Sequence, residues 1–146
     1  MSLEDDVALL ERVPTFRLLG EASLRMLAIG SEQRRVGRGE RLFNVGDEAD
    51  AGFIVQRGKF RIESGHAETI VGPGDLIGEL ALIISMQRPS SAVALEPALV
   101  IRIARSMFQR VLESDPEAAL RLRDELASRT SQIASDILMA SDKLRR

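Results

Sequence analysis

The sequence contains no cysteine, no tryptophan and no tyrosine among its 146 residues. Without cysteine the chain forms no disulfide and offers no thiolate nucleophile, and we therefore expect a reducing, cytoplasmic location. A single histidine without any cysteine leaves no basis for a zinc site of the usual kind. Five phenylalanines are the only aromatic residues, so few rings are available to stack on a bound molecule.

Long apolar runs are also missing. No run approaches the roughly 20 residues that a membrane-spanning helix needs, so we expect no membrane contact. The net charge of −2 argues against a surface designed as a whole for nucleic-acid backbones. No general acid–base pair, metal cluster or nucleophile-elbow spacing emerges, and we expect a protein that is not an enzyme and carries no cofactor.

The residues that are present divide the chain into three stretches. Apolar residues at helical spacing predict two or three short helices over residues 1–31. Over residues 32–104 short apolar runs alternate with glycine-containing turns, which predicts a compact sandwich or barrel of short strands. Residues 105–146 are again helical. With 45% hydrophobic and 29% charged residues, we expect one soluble α+β domain over residues 1–146.

One segment of the predicted β region, residues 72–88, carries the most chemical information. Its centre, residues 78–85, contains good helix formers and predicts a short helix opened by Gly78. The free N–H groups at a helix start bind an anion well, and a glycine there lets a ligand approach the backbone closely. Arg88 follows ten residues later, where the returning strand can bring its guanidinium over the same place for paired hydrogen bonds to phosphate oxygens.

Glu79, at the start of the short helix, can accept a hydrogen bond from a sugar hydroxyl. Each of these residues alone also has an ordinary explanation, because Glu79 can simply favour the helix dipole and Arg88 can simply be solvated. The ordered combination of Gly78, Glu79 and Arg88 is what predicts a site for a nucleotide phosphate.

The segment IGELAL at 77–82, followed by Arg88, resembles the phosphate-binding cassette of the cyclic-nucleotide-binding domain family. Upstream, LFNVGD at 42–47 and FIVQRG at 53–58 are similar to the first strand motif of that family. With further segments in family order, the resemblance covers almost the whole chain. It is closest to the sensor domain of bacterial transcription regulators of the catabolite-activator and fumarate-nitrate-regulator type, without their DNA-binding helix-turn-helix.

The resemblance implies an antiparallel β-roll, like a double-stranded jelly roll, with short N-terminal helices, a cassette helix at about 78–85 and a long C-terminal helix. By family role, Glu79 would accept from the ribose 2′-hydroxyl and Arg88 would pair with the cyclic phosphate. The two residues after Glu79 would bind the phosphate through backbone N–H groups, and either of two serines could add a hydroxyl. The implied ligand-binding residues are Gly78, Glu79, Leu80, Ala81, Arg88, Ser90 and Ser91.

Two departures from the family pattern bear on the ligand. Pro89 has no N–H, which removes one phosphate donor and about 1.5–3 kcal/mol of binding, and it lacks the hydroxyl that some members use to favour guanine. We therefore expect cAMP ahead of cGMP. The last helix offers no aromatic lid, and Ile133 and Ala134 stand where regulators carry hydroxyls for adenine, although Thr130 and Ser131 lie one turn earlier.

The C-terminal helix is predicted to begin with a capping box of Ser114 and Glu117, with Pro116 in the first turn. Its apolar seam follows a 4-3-4-3-4 spacing, which favours a homodimer through this helix; packing against the chain's own β domain is the alternative. The seam consists of Leu126, Thr130, Ile133, Ile137, Ala140 and Leu144.

These observations predict a regulatory module that binds a cyclic nucleotide and transmits binding through its C-terminal helix. We expect no direct nucleic-acid binding from this segment. The competing interpretation is a dimerisation or scaffold module whose degenerate pocket no longer binds a cyclic nucleotide.

Overall fold

The structure is a computed structural model that describes residues 2–129. Helices lie at both ends of the described chain and antiparallel strands form its centre, which confirms the α+β class expected from the sequence. The helical elements are α1 (Leu3–Glu11), a 3₁₀ turn (Phe16–Leu18), α2 (Glu21–Gly30), a second 3₁₀ turn (Glu79–Leu82), α3 (Arg105–Ser114) and α4 (116–129).

Ten short strands form the β region. They are β1 (Glu32–Val36), β2 (Arg41–Phe43), β3 (Glu48–Ala49), β4 (Ala51–Arg57), β5 (Phe60–Ser64), β6 (Ala67–Val71), β7 (Leu76–Ile77), β8 (Met86–Gln87), β9 (Ser91–Ala94) and β10 (Ala98–Ala104). One sheet has the order β1-β10-β4-β7 and the other β2-β9-β5-β6, while β3 and β8 form a separate ribbon. All pairs are antiparallel. This is the expected β-roll.

Strand β4 separates two hydrophobic cores, because successive side chains of a strand point to opposite faces. Phe53 and Val55 lie in the core between the sheets. Ile54, between them, lies in a second core that the sheet shares with the helices. The helices thus cover one face of the roll, and the interior of the roll is left to apolar strand residues and the cassette.

The cassette helix is shorter than the range 78–85 predicted from the sequence. It is a single 3₁₀ turn, Glu79–Leu82, and the chain then turns through residues 83–85 into β8. Leu82 is buried against Gly52, where an added Cβ would lie only 3.1 Å from Leu82 Cγ. Arg105 donates to the carbonyl oxygens of Ala81 (3.3 Å) and Ile84 (3.1 Å), which fixes the far end of the turn.

The start of α4 differs from the predicted capping box. Asp115, not Ser114, caps the helix: its Oδ1 accepts from the N–H of Ala118 at 3.2 Å, while the Ser114 hydroxyl donates to the Val111 carbonyl at 2.9 Å. Asp115 Oδ2 also accepts from the Ser23 hydroxyl at 2.8 Å. The aspartate is preferred because it caps α4 and binds α2 with the same carboxylate.

Leu126 is the one residue of the predicted apolar seam that lies within the described range. It is partly buried and packs against the core of its own chain. The remaining seam residues, Thr130, Ile133, Ile137, Ala140 and Leu144, lie outside the described residues, as do Ser131 and Ala134. Among residues 2–129, no helix has the length and apolar character needed to span a bilayer.

Candidate functional site

A cavity of about 280 Å³ opens at the cassette. It brings together residues from β2, β5, β6, β7, the 3₁₀ turn, β8 and the segment that follows β8. Six of the seven predicted ligand-binding residues line it; Ser91 does not. The lining consists of Phe43, Ile62, Val71, Leu76, Ile77, Gly78, Glu79, Leu80, Ala81, Met86, Arg88, Pro89 and Ser90.

Arg88 is the charged group at the inner wall of this cavity. The residue is buried, with 5% of its surface exposed. One guanidinium nitrogen, Nη2, donates to the Ala51 carbonyl at 2.8 Å, and within the described chain Nε is buried without a hydrogen-bond partner. A buried, unpartnered donor on a cation is costly unless an anion completes it.

Two aromatic rings hold this guanidinium. Its central carbon, Cζ, lies 4.2 Å from the ring centroid of Phe43 and 5.5 Å from that of Phe53. Ring faces attract a cation without neutralising it. Burial lowers the pKa of Arg88, while the charges of Asp50 and Asp47 act in the opposite direction. An arginine stays protonated despite such a shift, so the site presents a full positive charge.

Gly78 is needed where it stands. Its φ of +78° lies in the left-handed region that favours glycine. A Cβ added there would also lie 2.5 Å from Arg88 Nη1. The glycine therefore allows both the turn into the 3₁₀ segment and the position of the guanidinium.

Glu79, two-thirds buried, is held by residues from both helical parts of the chain. Its Oε1 accepts from the Thr15 hydroxyl at 2.9 Å and forms an ion pair with Arg129 of α4. The hydrogen bond to Glu79 and the charge of that carboxylate, together with a hydrogen bond to Glu125, raise the pKa of Arg129 against the effect of its partial burial. In the part of the chain that the structure describes, both donors address Oε1, which leaves Oε2 for another donor.

The other predicted site residues differ in how available they are. Leu80 is exposed at the cavity mouth, while the Ala81 N–H donates to the Gly78 carbonyl at 3.2 Å within the turn. Ser90 lines the cavity. Ser91 is buried behind it, and its hydroxyl oxygen accepts from the Val45 N–H at 2.8 Å.

The remaining wall of the cavity is apolar. Ile62 and Val71 contribute from neighbouring strands β5 and β6, and Leu76 and Met86 from either side of the 3₁₀ turn. Such a surface can bury the flat face of a ring but supplies no hydrogen-bonding side chain from these four residues. Among the lining residues, side-chain hydrogen bonds that distinguish one ligand from another can therefore come only from Glu79, Arg88 and Ser90.

Sequence reasoning did not find four residues that shape this site: Phe43, Phe53, Thr15 and Arg129. In the sequence, Phe43 and Phe53 look like ordinary core residues, because their contact with Arg88 depends on how the strands pack. Thr15 does leave a signal, since it is a lone hydroxyl in the apolar run from Val13 to Phe16. Arg129 leaves none, because charged residues are common on an exposed helix face.

The β-roll thus presents a cation that forms no ion pair within residues 2–129, together with a carboxylate, to one small cavity. The sequence pattern of the cyclic nucleotide-binding domain family matches residues 33–115. The chain belongs to this family, which confirms the resemblance found in the sequence.

Curated relatives match only with a part of their length. An uncharacterised NTE family protein of Mycobacterium tuberculosis is 34% identical over 109 residues, which are 73% of this chain and 19% of that protein. A cAMP-dependent protein kinase regulatory subunit of Yarrowia lipolytica is 31% identical over 98 residues, 66% of this chain and 26% of that protein. The chain therefore spans about a fifth to a quarter of the length of these relatives.

Solved structures match over more of their length. A cyclic nucleotide-binding-like protein from Brucella abortus is 38% identical, with a TM-score of 0.66, 75% of this chain covered and 98% of that chain. The N-terminal domain of a transcriptional regulator from Streptomyces coelicolor is 27% identical, with a TM-score of 0.79, 88% of this chain covered and 94% of that one. These likenesses support a regulatory domain of the cyclic nucleotide-binding fold.

Proposed function

We propose that the chain is a sensor that binds a cyclic nucleotide at the cassette, cAMP in preference to cGMP, and does no catalysis. One observation carries the proposal. Arg88 is a buried cation that no carboxylate of the described chain contacts within ion-pair distance, and it lines a cavity of mononucleotide rather than macromolecular size. The group that completes such a site is an anion with several acceptor oxygens, and a cyclic phosphate is one.

The neighbouring residues suit the rest of a nucleotide. The Glu79 carboxylate can accept from a ribose hydroxyl, and the apolar wall at Ile62 and Val71 can bury a purine face. The Leu80 backbone N–H and the Ser90 hydroxyl can add bonds to the phosphate because both residues line the cavity, whereas Ser91 does not line it and its hydroxyl oxygen accepts from the Val45 N–H.

The preference for cAMP rests on two observations. Pro89 lines the cavity and carries neither an N–H nor a hydroxyl that could hydrogen-bond to a guanine. A relative that aligns over two-thirds of the chain is named for its dependence on cAMP. The missing N–H also predicts modest affinity, weaker by about one to two decades than a site that has this donor.

The contact between Glu79 and Arg129 gives binding a route to α4. A ribose hydroxyl that donates to Glu79 changes the bond that this carboxylate makes to the helix. A ligand shifts a helix only through different affinities for its two positions, so we expect a coupling of about 1–3 kcal/mol between cAMP binding and the position of α4.

Three further parts of the proposal concern the surroundings of the chain. We propose a homodimer through the C-terminal seam that begins at Leu126, a cytoplasmic location consistent with the absence of cysteine, and no direct contact with nucleic acid. Sedimentation at two concentrations, with and without Ile133→Asp, tests the dimer. A monomer under all four conditions would refute it.

The experiment that tests the nucleotide proposal is a calorimetric titration of the purified chain with cAMP, cGMP and linear 5′-AMP. We expect saturable heat with cAMP, weaker binding of cGMP and none of 5′-AMP, whose phosphate carries a second charge and no ring. The absence of heat and of any thermal shift at millimolar cAMP would favour the scaffold alternative, for which the loss of a donor at Pro89 is the supporting observation.

A further inference from the structure

We propose that Thr15, which lies outside the cavity, is a positioning residue that orients Glu79 for recognition of the ribose 2′-hydroxyl. The inference rests on the proposed binding of a cyclic nucleotide and adds to it a residue from the N-terminal helical segment. Thr15 is separated from Glu79 by 64 positions in the sequence and does not line the cavity. Its effect on a bound nucleotide must therefore pass through Glu79.

The surroundings of Thr15 are apolar. Its residue exposure is 2%, and its neighbours Val13 and Phe16 are 2% and 0% exposed. It precedes the 3₁₀ turn Phe16–Leu18, but its hydroxyl makes no capping hydrogen bond to that turn. A hydroxyl in such surroundings needs a hydrogen-bond partner, and it donates to Glu79 Oε1 at 2.9 Å.

The two donors on Glu79 differ in kind. Arg129 is charged and lies on α4, where it also interacts with Glu125 at 3.4 Å. Its Nη2 donates to the Thr15 hydroxyl oxygen at 3.5 Å, so its position depends on that helix and on Thr15. Thr15 lies in a buried segment whose backbone is fixed by hydrogen bonds from Phe16 and Arg17 to Val13. The hydrogen bond from Thr15 therefore comes from a fixed position, whereas the position of Arg129 can change with α4.

The consequence for ligand recognition follows from the carboxylate's two oxygens. With Oε1 bound to Thr15 and Arg129, the carboxylate plane is set and Oε2 remains for a hydroxyl of the ligand. Without the Thr15 hydroxyl, only the arginine on α4 orients the group, and that arginine also loses its 3.5 Å contact with Thr15. The bond to the ribose hydroxyl then weakens, while the phosphate contacts of Arg88 are unaffected.

The test compares cAMP with 2′-deoxy-cAMP, measured by calorimetry on the wild-type chain, Thr15→Val and Thr15→Ser. We expect Thr15→Val to weaken cAMP binding about three- to tenfold and to leave 2′-deoxy-cAMP binding unchanged. Thr15→Ser keeps the hydroxyl and should restore the wild-type ratio of the affinities for cAMP and 2′-deoxy-cAMP. Ser23→Ala is the matched control, because it removes another buried hydroxyl, one that donates to Asp115, and should not change the ratio.

The outcomes separate the two proposals. Equal weakening of both nucleotides by Thr15→Val, or no weakening of either, overturns the role of Thr15 and leaves the nucleotide site standing. Failure of the wild-type chain to bind cAMP overturns the nucleotide site and the role of Thr15 with it. Should Thr15→Val not fold by circular dichroism, Thr15→Ala removes the same hydroxyl with less bulk, and the same ratio decides.

Discussion

Arg88 and Glu79 line the same cavity, but different parts of the molecule hold them. The hydrogen bond and the ring contacts of the Arg88 side chain come from the β-roll: the Ala51 carbonyl and the rings of Phe43 and Phe53. The hydrogen bonds found for the Glu79 carboxylate come from the helical parts of the chain. Because the sheets hold Arg88, its charge can bind a ligand without involving the helices. Glu79 is bonded to the helical parts, so a ligand that binds it can change their position.

We therefore expect the roll to determine the affinity for cAMP and the helices to transmit its binding. Changes on the roll side should alter how tightly cAMP binds. Changes on the helix side should alter binding less and should instead affect what α4 does when cAMP is bound. Four substitutions test this division, the first three with a control variant and the fourth with a change of pH.

The largest effect is expected from Arg88→Ala. It removes a desolvated cation opposite the phosphate and should weaken cAMP binding by at least about a hundredfold. Arg61→Ala is the control, because Arg61 does not line the cavity and pairs with its neighbour Glu63 at 2.7 Å, so its loss should change affinity less than twofold. Calorimetry on both variants measures the difference. Similar affinities for the two would mean that the phosphate does not bind at Arg88.

Gly78→Ala should have the next largest effect. A residue other than glycine at a positive φ costs about 1–2 kcal/mol of stability, and here the added Cβ also displaces the Arg88 guanidinium. Gly65→Ala has the same backbone cost at a φ of +60° but meets no atom within 4 Å. We expect similar losses of thermal stability and a loss of cAMP affinity, about tenfold or more, only for Gly78→Ala. Equal affinities would show that Arg88 tolerates the displacement.

Arg129→Gln should change cAMP affinity less than tenfold, because its partner Glu79 keeps the bond from Thr15. Its main effect should be on α4. In hydrogen exchange, cAMP should alter the protection of residues 116–129 in the wild-type chain and no longer do so in Arg129→Gln. Arg123→Gln, on the same helix and paired within residues 2–129 with the exposed Asp124, should behave as wild type. A response retained in Arg129→Gln would place the route elsewhere.

The smallest effect concerns Asp115, which joins α2 to the helix that carries Arg129. Hydrogen bonds from the Ser23 hydroxyl and the Ala118 N–H lower the pKa of its carboxyl. A folded-state pKa below the unfolded value of about 3.9 means that the stabilisation is present above that pH and is lost as the pH falls further. Asp115→Asn should therefore lower the unfolding midpoint slightly at pH 7 and make no difference near pH 2. A constant difference at both pH values would contradict the assigned cause.

Much of the fold was predictable from local pattern. The short runs at residues 41–43, 53–55, 60–62 and 69–71 all fall within observed strands, because short runs bounded by glycine turns are properties of neighbouring residues. The start of α4 was mispredicted by one residue. Ser114 and Asp115 are both good helix caps, and only the distant Ser23 decides between them.

The site was predictable to the extent that it is continuous in the sequence. Gly78, Glu79 and Arg88 lie within one segment, and their chemistry could be inferred from their order. The partners of these residues come from strands and helices far along the chain, so that no local spacing indicates them. The pairing of Glu79 with Thr15 and Arg129 is the clearest example, since it joins positions 64 and 50 residues away.

The central claim is that the buried Arg88 guanidinium receives the phosphate of a cyclic nucleotide. Its Nε–H group is unpartnered within residues 2–129, so its NMR resonance is a direct probe of that event. The resonance is assigned as the arginine Nε–H signal that Arg88→Lys lacks, and cAMP is then titrated into the wild-type chain. We predict that this signal shifts progressively and stops at saturation, while that of the exposed Arg38, in the turn between β1 and β2, stays in place. Saturable cAMP binding that leaves the Arg88 signal unmoved would contradict the account.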